Sequence, residues 1–140
     1  MKILVVEDDY ISRRLLCRYL QPYGICEEAV NGREAIAAVR LALDAGDHYD
    51  LICLDIMMPG LDGQQALEII RRLEFEHEIQ IGCGAKVIMT SAMEDNQNIM
   101  QAFMASADGY VVKPIERLKF IATMEEVGLV LEPVGLSSSS

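Results

Sequence analysis

Three features of this 140-residue sequence predict an α/β domain, a parallel sheet with helices on both faces. Four apolar runs, Ile3 to Val6, Leu51 to Leu54, Val87 to Met89 and Tyr110 to Val112, are continuous rather than alternating and rich in Val, Ile and Leu. Strands buried on both faces read that way. Helical patterns fall between these runs, so strand and helix alternate along the chain. Hydrophobic residues make up 51% of the sequence, which fills a core at this length without disulfides or metals as staples.

The elements follow in order. After the first strand, Ile11, Leu15, Leu16 and Tyr19 predict one face of a helix that ends before Pro22 and Gly24. Ile25 to Val30 predicts a weaker strand, and its Glu27 and Glu28 suit a sheet edge. Asn31 with Glu34 three residues on marks a second helix start, continued by Ala35, Ile36, Val39 and Leu43. Asp62 with Gln65 is a capping-box pattern before Ala66, Leu67, Ile70 and Leu73. Ile99, Ala102 and Phe103 predict a fourth helix, and Pro114 opens a fifth with Ile115, Leu118 and Ala122. Glu74 to Gly84 is a polar connection longer than most between a helix and a strand. Residues 1–130 are therefore expected to form one domain, followed by a disordered tail over 131–140 that ends in four serines, with no effector domain.

Composition excludes more than it names. The net charge of −10 is repelled by phosphate backbones and anionic lipid, which argues against direct nucleic-acid or membrane binding. Cys17, Cys26 and Cys53 read as buried thiols and Cys83 as a loop residue. No CxxC pair occurs, and His48 and His77 complete no zinc-ligand spacing and read as exposed. Without a signal-peptide pattern or a membrane-length apolar run, the expected compartment is the cytoplasm.

The chemistry gathers where the strands stop. The first ends in Glu7-Asp8-Asp9, the third in Asp55, the fourth in Thr90-Ser91 and the fifth in Lys113-Pro114. In open parallel sheets, sites form just beyond these carboxyl ends. Glu7, Asp8 and Asp55 would place three carboxylates in one cleft, where two like charges about 4 Å apart repel by roughly 4 kcal/mol at an effective dielectric near 20. Such a cluster calls for a cation, and oxygen ligands on a partly open site suit Mg²⁺. A carboxylate beside Mg²⁺ can be a nucleophile toward phosphorus, with Lys113 supplying an ammonium and Thr90 a hydroxyl for the transferring group.

Val5-Val6-Glu7-Asp8-Asp9, Leu54-Asp55-Ile56-Met57-Met58-Pro59-Gly60-Leu61-Asp62-Gly63, Met89-Thr90-Ser91-Ala92 and Val112-Lys113-Pro114 together resemble the receiver domains of bacterial two-component response regulators. The resemblance runs from Lys2 to about Val127. It implies a flavodoxin-like (βα)5 three-layer sandwich with strand order 2-1-3-4-5. It also implies that Asp55 is the phosphoacceptor and that Mg²⁺ is held by Asp8, Asp55, the Met57 carbonyl and, through water, Glu7. Thr90 and Tyr110 would act as switch residues, Lys113 would pair with the phosphoryl group, and Pro114 would follow a cis peptide. A sensor histidine kinase or phosphotransfer protein would supply the phosphoryl group. The fourth helix, fifth strand and fifth helix (Glu94, Gln97, Met100, Gln101, Tyr110, Glu116, Lys119) would then engage a downstream protein, as a monomer or a phosphorylation-dependent dimer. Glu7 departs from the more usual aspartate.

Other readings fit less well. A phosphorelay intermediate or phosphate sink would look the same in sequence. An aspartyl-phosphate phosphatase would need a second acid where Asp55-Ile56-Met57 has none, and a flavin or nucleotide module would need a glycine-rich loop after the first strand. A pure interaction domain with a dead site would not need the full set Glu7, Asp8, Asp55, Thr90 and Lys113. On this reading the chain is no enzyme beyond its own phosphoryl uptake and hydrolysis.

Overall fold

Each strand alternates its side chains between two helical layers. In the computed structural model, which describes residues 1–92 and 106–132, Leu4, Val6, Ile52, Leu54, Val87 and Met89 face one core cluster. Ile3, Val5, Leu51, Cys53, Ile88 and Val111 face the other. Both faces are buried, so the runs are apolar throughout.

The elements are β1 (Lys2–Val6), α1 (Tyr10–Leu20), a 3₁₀ turn (Gln21–Tyr23), β2 (Ile25–Ala29), α2 (Gly32–Asp44), β3 (Leu51–Asp55), α3 (Gly63–Glu76), β4 (Lys86–Ser91), β5 (Gly109–Val112) and α4 (Arg117–Glu126). The five strands form one parallel sheet in the order β2-β1-β3-β4-β5, the flavodoxin-like arrangement that was expected. The predicted helix around Ile99, Ala102 and Phe103 lies outside the described residues, so the predicted fifth helix is α4. Helices α2 and α3 cover the first cluster, and α1 and α4 the second.

The helix starts follow the predicted chemistry. Asn31 accepts the Glu34 N–H at 2.8 Å, and Asp62 and Gln65 form a reciprocal capping box. The inward faces of α1 and α4 differ from expectation. Ile11 is 75% exposed and Leu15 also faces outward, and the buried stripe is Arg13, Leu16, Cys17 and Leu20. Helix α4 begins at Arg117 rather than at Pro114, and it buries Phe120 and Met124 while Leu118 and Ala122 face solvent. Cys26 is half-buried rather than buried. Leu129 and Leu131 pack against the second cluster. Gly135 to Ser140 lie outside the described residues.

The long connection after α3 is tied down. Glu74 is buried, accepts the Ala85 N–H at 2.7 Å and pairs with Arg71 at 2.8 Å. A side chain at Gly84 would meet the Glu74 carboxylate at 2.2 Å, so glycine is what lets the loop close over it. Arg71 also reaches the carbonyls of Ala85 and Ser106 and the carboxylate of Asp108, which links α3 to the starts of β4 and β5.

His77 is half-buried, contrary to the sequence reading, as is His48. Its Nε2 faces Asp44 Oδ1 at 2.8 Å and its Nδ1 faces the Leu73 carbonyl at 2.8 Å. Two acceptors favour the doubly protonated ring, and the Asp44 hydrogen bond leads in raising its pKa above 6.5. A raised native pKa stabilises fully below the unfolded value and fades as pH rises through the native one. His77→Ala should therefore lower the urea midpoint more at about pH 5.5 than at about pH 8.5. An equal deficit at both would show that the ring acts only by packing.

Candidate functional site at the carboxyl ends of the strands

The same alternation that builds the second core cluster carries four polar residues to one end of it. Along β1 the sequence steps Ile3, Val5, Glu7, and along β3 it steps Leu51, Cys53, Asp55. β4 steps Ile88, Thr90, and β5 steps Val111, Lys113. A period of two thus aims Glu7, Asp55, Thr90 and Lys113 to the sheet face shared with α1 and α4. The strand register sets Asp55 beside Thr90 and Ser91 beside Val112.

Asp55 and Glu7 are each only 3% exposed, and Asp8 is exposed at the mouth. Carboxylate oxygens of Glu7, Asp8 and Asp55 lie within 4.8 Å of one another, and this is the one such acidic group among the described residues. Lys113 Nζ donates to Glu7 Oε1 and, at 3.3 Å, to Asp55 Oδ2. Burial pulls the Lys113 ammonium down, but the carboxylates of Glu7 and Asp55 outweigh it and raise its pKa. Desolvation pushes the Asp8 carboxyl up, reinforced by its hydrogen bond to Glu7 and by that residue's charge. Three carboxylates against one ammonium leave room for a further cation, and an all-oxygen donor set suits a hard one.

Local structure holds the acids in place. Asp55 Oδ1 accepts the Met57 N–H at 3.1 Å, so Asp55 also orders the turn that follows it. The Ile56 N–H donates to the Thr90 carbonyl at 3.0 Å, and the Gly63 N–H donates to the Ile56 carbonyl at 3.1 Å. A Cβ at Gly63 would lie 2.5 Å from the Asp55 carbonyl, so glycine allows α3 to start directly against the site. Asp9 caps α1 by accepting the Ser12 N–H, and its own N–H donates to Glu7 Oε2 at 3.1 Å. The Lys113–Pro114 peptide is cis.

The structure brings Glu7, Asp8, Asp55 and Lys113 together, with Thr90 in register alongside. Thr90 and Ser91 are both buried residues of β4. The Met57 side chain is exposed, and Tyr110 is 43% exposed on β5, so it does not fill the core here. Of the predicted partner surface, Tyr110, Glu116 and Lys119 are exposed, and Glu94, Gln97, Met100 and Gln101 lie outside the described residues. Arg13 escaped the sequence reading. It is 9% exposed, and its guanidinium donates to the Glu7 carbonyl at 2.9 Å. Its spacing from Leu16, Cys17 and Leu20 was the available sign that it points inward.

Comparison with known proteins agrees with this arrangement. The family model for the response regulator receiver domain matches residues 3–125. The chain is 44% identical over 115 residues to the transcriptional regulatory protein ResD of Bacillus subtilis, covering 81% of this chain and 42% of that protein. It is 31% identical over 129 residues to the chemotaxis protein CheY of Halobacterium salinarum, covering 90% of this chain and 95% of that one. Among solved structures, the CheX-CheY-BeF3-Mg²⁺ complex from Borrelia burgdorferi matches with a TM-score of 0.76 at 25% identity, over 93% of this chain and 90% of that one. The chain spans less than half the length of several curated relatives, two histidine kinases among them. No described helix is long and apolar enough to cross a membrane. The match over residues 3–125, the sheet order and the strand-end cluster agree: the chain belongs to the response regulator receiver domain family.

Proposed function

We propose that this chain is a phosphoacceptor switch that takes a phosphoryl group on Asp55 and presents the change to a partner protein. The observation that carries the reading is the buried Asp55 carboxylate at the end of β3. It has Lys113 at 3.3 Å on one oxygen and two further carboxylates within 4.8 Å. The donor set fits Mg²⁺, held by Asp8, Asp55, the Met57 carbonyl and, through water, Glu7, and the ion would neutralise charge on the transferring group. The CheY match, whose structure carries BeF3 and Mg²⁺, supports this choice of ion.

In the transfer, an Asp55 carboxylate oxygen forms a bond to phosphorus. The bond from phosphorus to the donor's histidine nitrogen breaks, and that nitrogen keeps the electron pair and takes up a proton. Lys113 then exchanges its carboxylate partners for a phosphoryl oxygen, and the Thr90 hydroxyl donates to another. The donor is a sensor histidine kinase or a phosphotransfer protein. The phosphoryl group carries about −1.5 to −2 charge where the Asp55 carboxylate carried a single negative charge, and it brings three acceptor oxygens. As Thr90 moves toward them, Tyr110 swings inward from β5 and alters the surface around Glu116 and Lys119. The chain acts on itself and turns over no external substrate, and it works in the cytoplasm. The matches to histidine kinases favour a place within a phosphorelay as a second reading.

Intact-mass analysis after incubation with acetyl phosphate tests the proposal. One added phosphoryl group with Mg²⁺, and none with EDTA, is the expected result. Uptake independent of metal would contradict it.

A further inference from the structure

We propose that Arg13 is a positioning residue for the acidic cluster, fixing the Glu7 peptide so that its carboxylate faces the Mg²⁺ site; this rests on the phosphoacceptor reading above. Glu7 lies one residue past the end of β1, where regular pairing stops. Its N–H still donates to the Ala29 carbonyl of the β2 edge at 3.1 Å. Its carbonyl turns toward α1 and accepts a buried hydrogen bond from Arg13 at 2.9 Å. The peptide is thus gripped at both polar atoms, by a strand on one side and a helix on the other.

Arg13 is itself held. Its Nε donates to Glu28 Oε1 at 2.9 Å, and the Tyr10 ring lies 5.4 Å from the guanidinium carbon. Glu28 is the neighbour of Ala29 on β2, so that strand secures Glu7 twice, once through its backbone and once through the Glu28–Arg13 pair. Only a forked guanidinium spans both acceptors, and lysine would have to choose between them. Residues that orient metal ligands shift affinity without touching the ion.

Positioning and simple electrostatics give opposite signs for the loss of Arg13. Arg13 is a positive charge near a cation site, so charge alone would make Arg13→Ala bind Mg²⁺ more tightly. Positioning makes it bind more weakly, because the Glu7 carbonyl loses its donor and the residue reorients.

Titration calorimetry with Mg²⁺ on wild type, Arg13→Ala and Arg13→Lys decides between them. Positioning gives about tenfold weaker binding in Arg13→Ala and about threefold in Arg13→Lys, which keeps the charge but not the fork. Phosphoryl uptake at saturating Mg²⁺ should stay within about threefold of wild type in both, so the loss sits in metal affinity rather than rate. Unchanged or tighter Mg²⁺ binding in Arg13→Ala would overturn the proposal, whatever the loss in melting temperature. Should that variant fail to fold, Arg13→Lys carries the decision, and wild-type affinity there would overturn it. A wild-type chain that binds no Mg²⁺ would overturn both this proposal and the reading it rests on.

Discussion

Asp55→Asn will lose phosphoryl uptake from acetyl phosphate by at least about a hundredfold, because an amide is a far poorer nucleophile than a carboxylate toward phosphorus. The change is small in shape, and it removes one of three crowded negative charges. The variant should therefore unfold at no lower urea concentration than wild type in EDTA. That separates lost chemistry from lost structure. Its Mg²⁺ affinity should fall as well, since a ligand carboxylate is gone. Uptake near the wild-type rate would mean that another carboxylate of the cluster is the acceptor.

Lys113→Ala should have the second-largest effect, and it acts on both stability and signalling. The Lys113 ammonium is the cation between the Glu7 and Asp55 carboxylates, whose side chains are each 4% exposed. Without it, two buried like charges face each other, and breaking such a pair typically costs about 3–5 kcal/mol. Urea denaturation in EDTA should show a loss of that order, and Mg²⁺ should restore a good part of it by supplying the missing positive charge. The deficit should hold across neutral pH: the raised Lys113 pKa keeps its contribution complete below the unfolded value and removes it only as pH climbs through the native one. A variant as stable as wild type in EDTA would show that the carboxylates are already neutralised by other means.

Much of this site can be read from the sequence because strand geometry is simple. Once β1, β3, β4 and β5 are placed, a period of two puts Glu7, Asp55, Thr90 and Lys113 on one face, and the parallel order brings their ends together. The capping residues Asn31 and Asp62 were legible for the same reason, since their partners lie only three residues away.

What escaped depends on partners far along the chain. Helical spacing sets Arg13 on the buried stripe of α1, but its acceptors there, Glu28 and the Glu7 carbonyl, lie on other elements. An apolar count therefore chose Ile11 and Leu15, which lie on the opposite side of the helix. Glu74 is the same case, a buried acid satisfied by Arg71 and the Ala85 amide. Helix α4 misled differently. Leu118 and Ala122 have helical spacing, but the helix packs Phe120 and Met124 into the second core cluster instead.

Asp55, and no other acid of the cluster, should form the bond to phosphorus. Reductive trapping tests it most directly: borohydride converts an aspartyl phosphate to homoserine, which peptide mass spectrometry can locate. After incubation with acetyl phosphate and Mg²⁺, homoserine at position 55 alone is the predicted result. Homoserine at Asp8, reduction at Glu7, or no reduced acid in a chain that has gained phosphoryl mass would mean that Asp55 is not the acceptor.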